Sequence, residues 1–283
     1  MFKLNKKIII FLILLSTFGF VLYQNNIIEK TYIQYSSGGV PEAFSGYKIV
    51  HISDLHNKSF GKNQEKLLKK IEEEKPNIIV ITGDLIDRRK YNLEVALSFV
   101  KGAVDIAPVY YVSGNHEAWS GKYEEIKDEL ISLNVQVLDD KKISINKEDD
   151  FIDIIGLKDP DFHTSNYLEG NNTLVLENQL RNLSEKDNFQ ILLSHRPELI
   201  NIYANENIDL IFSGHAHGGQ FRLPFIGGII APDQGLFPEY TSGVYEKDKS
   251  TLVVSRGLGN SIIPVRLFNQ PEIVIVTLSK GDI

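Results

Sequence analysis

Five short clusters of histidine, aspartate and asparagine are the residues of this 283-residue chain best suited to chemistry. Each cluster directly follows a run of apolar residues. The clusters are Asp54-Leu55-His56, Gly83-Asp84-Leu85-Ile86-Asp87, Gly114-Asn115-His116-Glu117, Ser194-His195 and Gly214-His215-Ala216-His217. Their side chains carry the oxygen and nitrogen atoms that bind divalent cations. Because the chain has no cysteine, disulfides, thiolate ligands and a cysteine nucleophile are excluded.

The apolar runs before the clusters predict buried strands, and helical patterns lie between them. The predicted strands are Lys48–Ile52, Ile78–Thr82, Val109–Val112, Gln190–Leu193 and Leu210–Phe212. The predicted helices are Gln64–Glu74, Leu93–Lys101, Tyr123–Leu133, Leu174–Leu183 and Pro197–Ala204. This alternation is typical of β-α-β units with parallel strands. Since catalytic groups of α/β proteins gather at the carboxyl ends of such strands, we expect the five clusters to converge.

Several segments outside these β-α-β units are also predicted to form strands. Shorter strands are predicted at Gln136–Leu138, Ile143–Ile145, Ile152–Ile155, Thr251–Ser255 and Glu272–Leu278. A segment rich in glycine and proline, Gly218–Pro238, separates the last cluster from the final strands. Its alternative interpretations are a long packed loop and the rim of an apolar substrate pocket.

The chemistry that best fits converging carboxylates, an amide and imidazoles is displacement at phosphorus assisted by two cations. Two divalent cations about 3.5–4 Å apart stabilise both the attacking and the leaving oxygen of an in-line reaction. One carboxylate must then bridge them. Asp84 is the predicted bridge, because the preceding Gly83 lets the backbone approach a metal closely. We expect Gly114 and Gly214 to have the same steric role.

The motifs also resemble those of a known family. In order, D-x-H, G-D-x-x-D-R, G-N-H-E, H and G-H-x-H-G-G-Q span residues 54–220. They resemble the calcineurin-like metallophosphoesterase superfamily. The tail from Ser255-Arg256-Gly257-Leu258-Gly259 to Pro271-Glu272 is similar to its bacterial membrane-associated or exported phosphodiesterase-like branch. The resemblance implies a four-layer α/β sandwich, in which two mixed β-sheets pack together and are flanked by helices.

The same resemblance implies roles for individual residues. One metal would be held by Asp54, His56, Asp84 and His217, and the second by Asp84, Asn115, His195 and His215. His116 would protonate the leaving oxygen after in-line attack by a hydroxide that bridges the metals. Asp87 and Glu117 are expected to orient ligands by hydrogen bonds. The ligands do not fix the identity of the metals, which we expect to be Mn, Fe or Zn.

The remaining histidines and several arginines have less specific interpretations. His51 lies within a predicted strand and is expected to be a core or strand-face histidine. His163 is expected at the surface. Arginines near the motifs are expected to be mainly structural ion-pair partners, namely Arg88, Arg196, Arg222, Arg256 and Arg266. Arg222 is the preferred candidate for substrate contact, because forked guanidinium donors match phosphate oxygens.

The N-terminus resembles a membrane-targeting segment. Lys3, Lys6 and Lys7 precede an apolar run from Ile8 to Tyr23. As a helix this run rises about 24 Å, slightly less than a hydrocarbon core of roughly 30 Å, so an anchor and a cleaved signal peptide are both compatible with it. A retained single-pass anchor is favoured because no small-residue cleavage site follows. The lysine bias places the domain outside the cytoplasmic membrane.

We therefore divide the chain into a signal-anchor or transmembrane segment at residues 1–23, residues 24–44 and a metallophosphoesterase domain at residues 45–283. Residues 24–44 are polar and are expected to form a linker, with an irregular first strand as the alternative. The net charge of −7 excludes duplex nucleic acid as a partner, since phosphate neutralisation needs a basic face.

The expected function is hydrolysis of a phosphodiester or pyrophosphate bond in a lipid or cell-envelope substrate. One alternative is an intracellular nucleotide phosphodiesterase, which would need the domain on the other side of the membrane or the anchor to be removed without export. Another is a non-catalytic scaffold of the same fold. A scaffold would be expected to have lost His116 or some of the ligands, and none is missing from the sequence.

Overall fold

Two six-stranded sheets form the centre of the computed structural model, which describes residues 5–164, 173–185, 187–261 and 264–281. The strands are β1 Glu29–Ser37, β2 Lys48–Ile52, β3 Ile78–Thr82, β4 Val109–Val112, β5 Gln136–Val137, β6 Lys141–Lys147, β7 Asp150–Gly156, β8 Gln190–Leu193, β9 Leu210–Ser213, β10 Arg222–Leu223, β11 Gly227–Gly228, β12 Ile230–Ala231, β13 Gly235–Leu236, β14 Gly243–Lys247, β15 Ser250–Val254 and β16 Glu272–Lys280. The helices are α1 Lys6–Asn26, α2 Glu65–Glu72, α3 Leu93–Ile106, α4 Asn115–Ala118, α5 Tyr123–Ser132, α6 Thr173–Leu183 and α7 Ile200–Asn205. Short 3₁₀ turns cover Glu42–Phe44, Lys62–Gln64, Arg88–Lys90, Pro160–His163, Pro197–Leu199 and His217–Gly219.

Both sheets are mixed, as the resemblance implied. The first has the strand order β1-β16-β2-β3-β4-β5, in which β2 to β5 run parallel and β16 is antiparallel to β2. The second has the order β14-β15-β9-β8-β7-β6, with β15, β9, β8 and β7 parallel and an antiparallel strand at each edge. The parallel strands of each sheet therefore end at a common edge.

Apolar residues pack in three layers, which accounts for the four-layer sandwich. The layer between the sheets combines Ile49 and Val80 of the first sheet with Ile191 and Phe212 of the second. On its outer face the first sheet packs against α2, α3 and α5, and the second packs against α6 and α7. Because each central strand is buried on both faces, its residues are apolar almost without interruption. The predicted fold class is confirmed.

Residues 24–44 contain a regular strand rather than only a linker. Strand β1 pairs in parallel with β16 over its whole length, from Glu29 opposite Glu272 to Ser37 opposite Lys280. Its polar composition suits a sheet edge with one exposed face, and this composition made it resemble a linker. Phe44 is fully buried between the sheets. The division into anchor, linker and domain stays a prediction.

The N-terminal apolar run lies within α1, the one helix among the described residues that is long and apolar enough to cross a membrane. Its apolar side chains, such as Phe11 and Leu14, are exposed. Its last turns contact the domain. The Asn25 carboxamide oxygen accepts a hydrogen bond from the Arg266 backbone N–H at 2.9 Å, and the Phe20 ring lies 5.4 Å from the ring of Phe268.

The burial of Phe44 gives a test of how far residues before 45 belong to the folded domain. Phe44→Ala should lower the free energy of unfolding by about 3–5 kcal/mol, because it leaves a cavity between the sheets. Phe151→Ala is the matched control, since Phe151 is exposed, and should cost about 1 kcal/mol or less. Urea unfolding of the detergent-solubilised protein measures both. Equal small losses would mean that the Phe44 segment is not part of the core.

Candidate metal centre

The five clusters follow parallel strands and meet at one edge of the sandwich. Asp54 and His56 follow β2, Asp84 follows β3, Asn115 and His116 begin α4 after β4, His195 follows β8, and His215 and His217 follow β9. A hydrogen bond joins the two sheets here. The Nδ1–H of His195 donates to the carbonyl oxygen of Thr82, the last residue of β3, at 2.6 Å. The predicted convergence is therefore present.

Four side chains form a first buried group: Asp54, His56, Asp84 and His217. One nitrogen or oxygen atom of each lies within 4.8 Å of the others. The Nε2 atoms of His56 and His217 are 3.1 Å apart. His217 Nε2 lies 3.4 Å from Asp54 Oδ1, and His56 Nε2 lies 3.4 Å from Asp84 Oδ2. This is the set of residues predicted for the first metal.

A second group lies directly beside the first. Asn115 Oδ1 is 3.1 Å from His195 Nε2 and 3.0 Å from His215 Nδ1, and these two nitrogens are 3.2 Å apart. His195 Nε2 lies 3.4 Å from Asp84 Oδ2. The same Asp84 oxygen is also 3.4 Å from His56 Nε2. One carboxylate oxygen is thus equidistant from an imidazole of each group, as a bridging ligand requires.

The donor atoms in both groups fit divalent cations. Nitrogen and oxygen acceptors converge without thiolates, which suits Mn, Fe or Zn and does not distinguish among them. Metal-bound imidazoles usually donate their other N–H to a carbonyl or a carboxylate. His195 donates in this way to Thr82, and His215 Nε2 donates to Asp233 Oδ2 at 3.0 Å. Among the described residues, Nδ1 of His56 and of His217 has no such partner.

Electrostatics at this edge favour positive charge. Burial disfavours the charged form of Asp84, yet the surrounding imidazoles, His195 foremost, hold the pKa of this carboxyl well below its usual range. Burial also opposes charge on His195, but the Asp84 carboxylate raises the pKa of that imidazole to about 10. Buried carboxylates therefore draw a compensating positive charge, which a proton or a cation can supply.

Most of the candidate ligands have strained backbones. Left-handed φ angles occur at Asp54 (51°), His56 (46°), Asp84 (54°), His215 (65°) and His217 (48°). Residues other than glycine rarely adopt this backbone conformation. It costs about 1–3 kcal/mol per residue and persists where the surrounding structure imposes it. The same conformation also occurs away from this edge, for example at Lys75 and Glu148, so it does not by itself distinguish the candidate ligands.

The glycines before the clusters have close contacts with neighbouring loops. A Cβ atom on Gly114 would lie 2.4 Å from Asp84 Oδ1, and one on Gly83 would lie 2.5 Å from the Gly114 nitrogen. A Cβ atom on Gly214 would lie 2.3 Å from Asp54 Oδ2. These glycines let neighbouring loops touch and leave room for the carboxylates, and their role beside a metal stays a prediction.

Glu117 and Asp87 differ in what they orient. Glu117 Oε2 accepts hydrogen bonds from the backbone N–H groups of Asp84 and Gly114, each at 2.8 Å, so it positions Asp84 through the main chain. Burial, with the nearby Asp84 charge, raises the pKa of Glu117 to about 7. Asp87 binds Arg89, and its Oδ1 lies 3.6 Å from His116 Nδ1. One atom each of Asp87, His116 and the candidate ligand His56 lies within 4.8 Å of the others, so Asp87 faces both histidines.

His116 lies beside the first group. Its ring meets that of His56 edge-on at 4.4 Å, and its backbone N–H donates to Asp84 Oδ1 at 2.8 Å. Its Nδ1 accepts a hydrogen bond from the Arg88 backbone N–H at 3.2 Å, so the neutral ring carries its proton on Nε2. Burial lowers the pKa of His116 to about 4.

Arg196, behind His215, is a structural ion-pair partner as predicted, but its acidic partners were not predicted. The Arg196 guanidinium donates to Asp159 at 2.8 Å and lies 2.7 Å from Asp161. Arg196 also pairs with Asp233, which accepts from His215. Asp159 and Asp161 follow strand β7, so the rule that identified the clusters could have found them. Asp233 had no such signal, because it lies in a loop far from any long strand.

The other histidines have the predicted environments. His51 is buried, with Nε2 2.8 Å from Thr82 Oγ1, and His163 is exposed. Both predictions are confirmed.

The structure gives several arginines structural contacts. Arg256 pairs with Glu272 at 2.9 Å, and the buried Arg266 donates to the carbonyl oxygens of Gly259 and Asn269. Arg222 donates to the Gly218 carbonyl at 2.9 Å and to Thr241 at 3.1 Å, so its guanidinium supports a loop.

Known proteins share this sequence pattern and fold. A family model described as calcineurin-like phosphoesterase matches residues 47–219. An uncharacterized metallophosphoesterase of Bacillus subtilis, YkuE, is 30% identical over 282 residues, covering 94% of this chain and 91% of that protein. A transmembrane protein with metallophosphoesterase domain from Bos taurus is 30% identical over 254 residues, covering 86% of this chain and 55% of that protein. The crystal structure of TT1561 from Thermus thermophilus has a TM-score of 0.50 at 13% identity, covers 76% of this chain and 91% of that chain, and shows the likeness of fold alone.

The matched family region contains both groups of candidate ligands and His116. It also spans the strands that bring these residues together, from β2 to the turn after β9. The chain belongs to the calcineurin-like phosphoesterase family and is a metal-dependent phosphoric ester hydrolase.

Proposed function

We propose that the protein hydrolyses a phosphodiester or pyrophosphate bond with two divalent cations bound at the candidate metal centre. The observation that carries this proposal is the position of Asp84 Oδ2, 3.4 Å from both His56 Nε2 and His195 Nε2. A carboxylate at equal distance from both groups of candidate ligands would be a ligand of both cations. Activity on bis(p-nitrophenyl) phosphate and on p-nitrophenyl phosphate, measured across Mn, Fe and Zn, tests both the reaction and the preference for a diester.

The ligands divide according to the two groups. Asp54, His56, Asp84 and His217 would hold one cation, and Asp84, Asn115, His195 and His215 would hold the other. The bound cations supply Lewis acidity at the phosphoryl oxygens and acidify water. Thr82 and Asp233 orient His195 and His215 through the second nitrogen of each ring. Glu117 holds the Asp84 backbone in place by accepting a hydrogen bond from its N–H.

His116 is the proposed proton donor. Water forms the new bond to phosphorus in line with the leaving oxygen, the bond to that oxygen breaks, and His116 Nε2 supplies the proton that the oxygen needs. The proton that the attacking water loses restores the protonated imidazole. Burial keeps the free imidazole neutral, since it lowers the pKa to about 4. An anionic phosphoester beside the ring opposes this effect and favours the protonated form. A proton donor helps most with a poor leaving group such as the alkoxide of a diester, which supports a diester substrate.

The substrate is proposed to be a lipid or a cell-envelope polymer. The exposed apolar helix α1 supports attachment to the cell membrane as a single-pass protein. Lys6 and Lys7 at its start support an extracytoplasmic domain, by the bias of positive residues towards the cytoplasm. An intracellular nucleotide substrate is the alternative, and it requires the opposite topology or removal of the anchor without export.

Asp84→Asn should remove most activity and lower occupancy of both metals, because a neutral amide cannot offset two dications. Asp128→Asn, at an exposed position of α5, is the matched control and should change neither property. Elemental analysis and turnover of bis(p-nitrophenyl) phosphate measure the effects. An Asp84→Asn protein with two metals per chain and normal turnover would contradict the bridging role.

His116→Ala should keep both metals but slow the hydrolysis of alkyl diesters by about 10²–10⁴-fold, the usual contribution of a positioned general acid. The loss should be smaller for p-nitrophenyl esters, because p-nitrophenolate leaves without a proton. His163→Ala, at an exposed position, is the control. Equal losses on the two kinds of substrate would indicate a binding or structural role for His116.

The proposed topology can be tested because the chain has no native cysteine. In whole cells, a membrane-impermeant maleimide should label Lys249→Cys, at an exposed turn of the domain, but should label Lys7→Cys only after lysis. Cell lysis provides the control for reactivity of each thiol. The opposite labelling pattern would favour the intracellular alternative.

A further inference from the structure

Two short hairpins next to the metal centre expose a cluster of large apolar side chains. Strands β10 and β11 form the first hairpin, and β12 and β13 form the second. The exposed side chains are Leu223, Phe225, Ile226, Leu236 and Phe237, together with Phe268 from a neighbouring loop. We call these six residues the apolar hairpin surface. Exposed apolar patches rimmed by polar residues commonly mark an interaction site.

All three phenylalanines of this surface are unfavourable in both conformation and solvation. Phe225 is fully exposed and has a φ of 69°, and the exposed Phe237 and Phe268 have φ angles of 53° and 51°. A left-handed turn residue is least strained as glycine or asparagine, and a solvated position is best filled by a polar residue. Neither local folding nor solubility explains phenylalanine at these positions. An apolar environment around the hairpins explains these phenylalanines.

The hairpin surface is continuous with the exposed helix α1. Phe268 packs its ring 5.4 Å from that of Phe20, in the C-terminal part of α1. The adjacent residue, Leu267, accepts a hydrogen bond from the Arg222 backbone N–H at 3.1 Å, where the first hairpin starts. The apolar side chains of α1 and those of the hairpins therefore belong to neighbouring parts of one surface.

The same segment is attached to the metal centre. The Asn269 side chain, next to Phe268, donates to the carbonyl oxygens of His217 at 2.7 Å and Gln220 at 2.9 Å. A Cβ atom on Gly219 would lie 2.4 Å from the Gly228 backbone, so the first hairpin also packs directly behind His217. A partner that covers the hairpin surface would therefore lie beside His217, a candidate metal ligand.

A lipid bilayer fits this surface better than a second protein. A stable protein interface buries about 800 Å² on each partner and needs complementary shape. Here the apolar side chains project from separate hairpin tips, which a fluid lipid phase can surround without complementarity. Phe and Leu side chains are also typical of the apolar face that surface-bound segments bury at the boundary between headgroups and acyl chains.

We infer that the apolar hairpin surface inserts into the bilayer that α1 spans and holds the metal centre beside the lipid headgroups. The inference rests on the proposed membrane placement and narrows the proposed substrate to a phosphoester whose apolar part remains in the bilayer.

Single cysteines in the full-length, otherwise cysteine-free chain test the inference. Phe225→Cys, Leu14→Cys in α1 and Lys249→Cys are labelled with an environment-sensitive fluorophore. The protein is reconstituted in phosphatidylcholine vesicles that carry nitroxide on the lipid acyl chains. Neutral lipid restricts the measurement to apolar insertion. Label at Phe225→Cys should shift its emission to the blue and be quenched, as at Leu14→Cys, whereas label at Lys249→Cys should remain in water.

Each outcome decides the inference separately from the proposed function. Quenching at Phe225→Cys supports insertion, with or without quenching at Leu14→Cys, while a signal equal to that of Lys249→Cys overturns it. Loss of the α1 signal alone would contradict the proposed anchor. Absence of hydrolysis of bis(p-nitrophenyl) phosphate would contradict the proposed function and leaves the quenching result unaffected.

A second pair of measurements links the surface to catalysis. The double variant Phe225→Ser and Phe237→Ser should keep wild-type turnover of soluble bis(p-nitrophenyl) phosphate, because neither side chain belongs to the metal centre. Its turnover of a p-nitrophenyl phospholipid diester in vesicles should fall, since the centre is no longer held at the lipid surface. Equal rates of wild type and variant on the vesicle substrate would overturn the link.

Discussion

The structure depends on how the buried carboxylate of Asp84 is neutralised. This residue stands where the ends of two sheets meet, with an imidazole nitrogen of each group 3.4 Å from one of its oxygens. A buried charge is tolerated only with a partner of opposite sign, so the surrounding imidazoles must be protonated or a cation must be present. The loops, the glycines that leave room for the carboxylates and the strained ligand backbones all serve this one arrangement.

Much of this arrangement could be predicted from the sequence. The strands before the clusters are short, apolar and followed by chemically distinctive residues, so β2, β3, β4 and β8 have the predicted bounds. The chain order of the motifs then implied which side chains converge. Convergence follows from topology, because parallel strands end at a common edge, and needs no knowledge of individual contacts.

Features that depend on contacts between distant segments could not be predicted. Strand β1 has an exposed face and a polar composition, so its pairing with β16 left no apolar pattern. Asp233 reaches His215 from a loop tip, and nothing in the local sequence indicates that approach. Asp87 and Glu117 are both carboxylates within similar motifs, so the sequence does not distinguish them. The geometry does, because Glu117 accepts a hydrogen bond from the Asp84 backbone, whereas Asp87 faces His116 and His56.

The connection between α1 and the first sheet is very short. The helix ends at Asn26 and β1 begins at Glu29, with the Asn25 side chain bound to the Arg266 backbone. Such a short connection leaves the domain little freedom to tilt relative to the helix, so that rotation of the helix rotates the whole domain. With the helix in a membrane, the enzyme would search for substrate by lateral diffusion in two dimensions. With the apolar hairpin surface inserted as inferred above, phosphoesters away from the bilayer would lie beyond its reach, whatever their affinity for the metal centre.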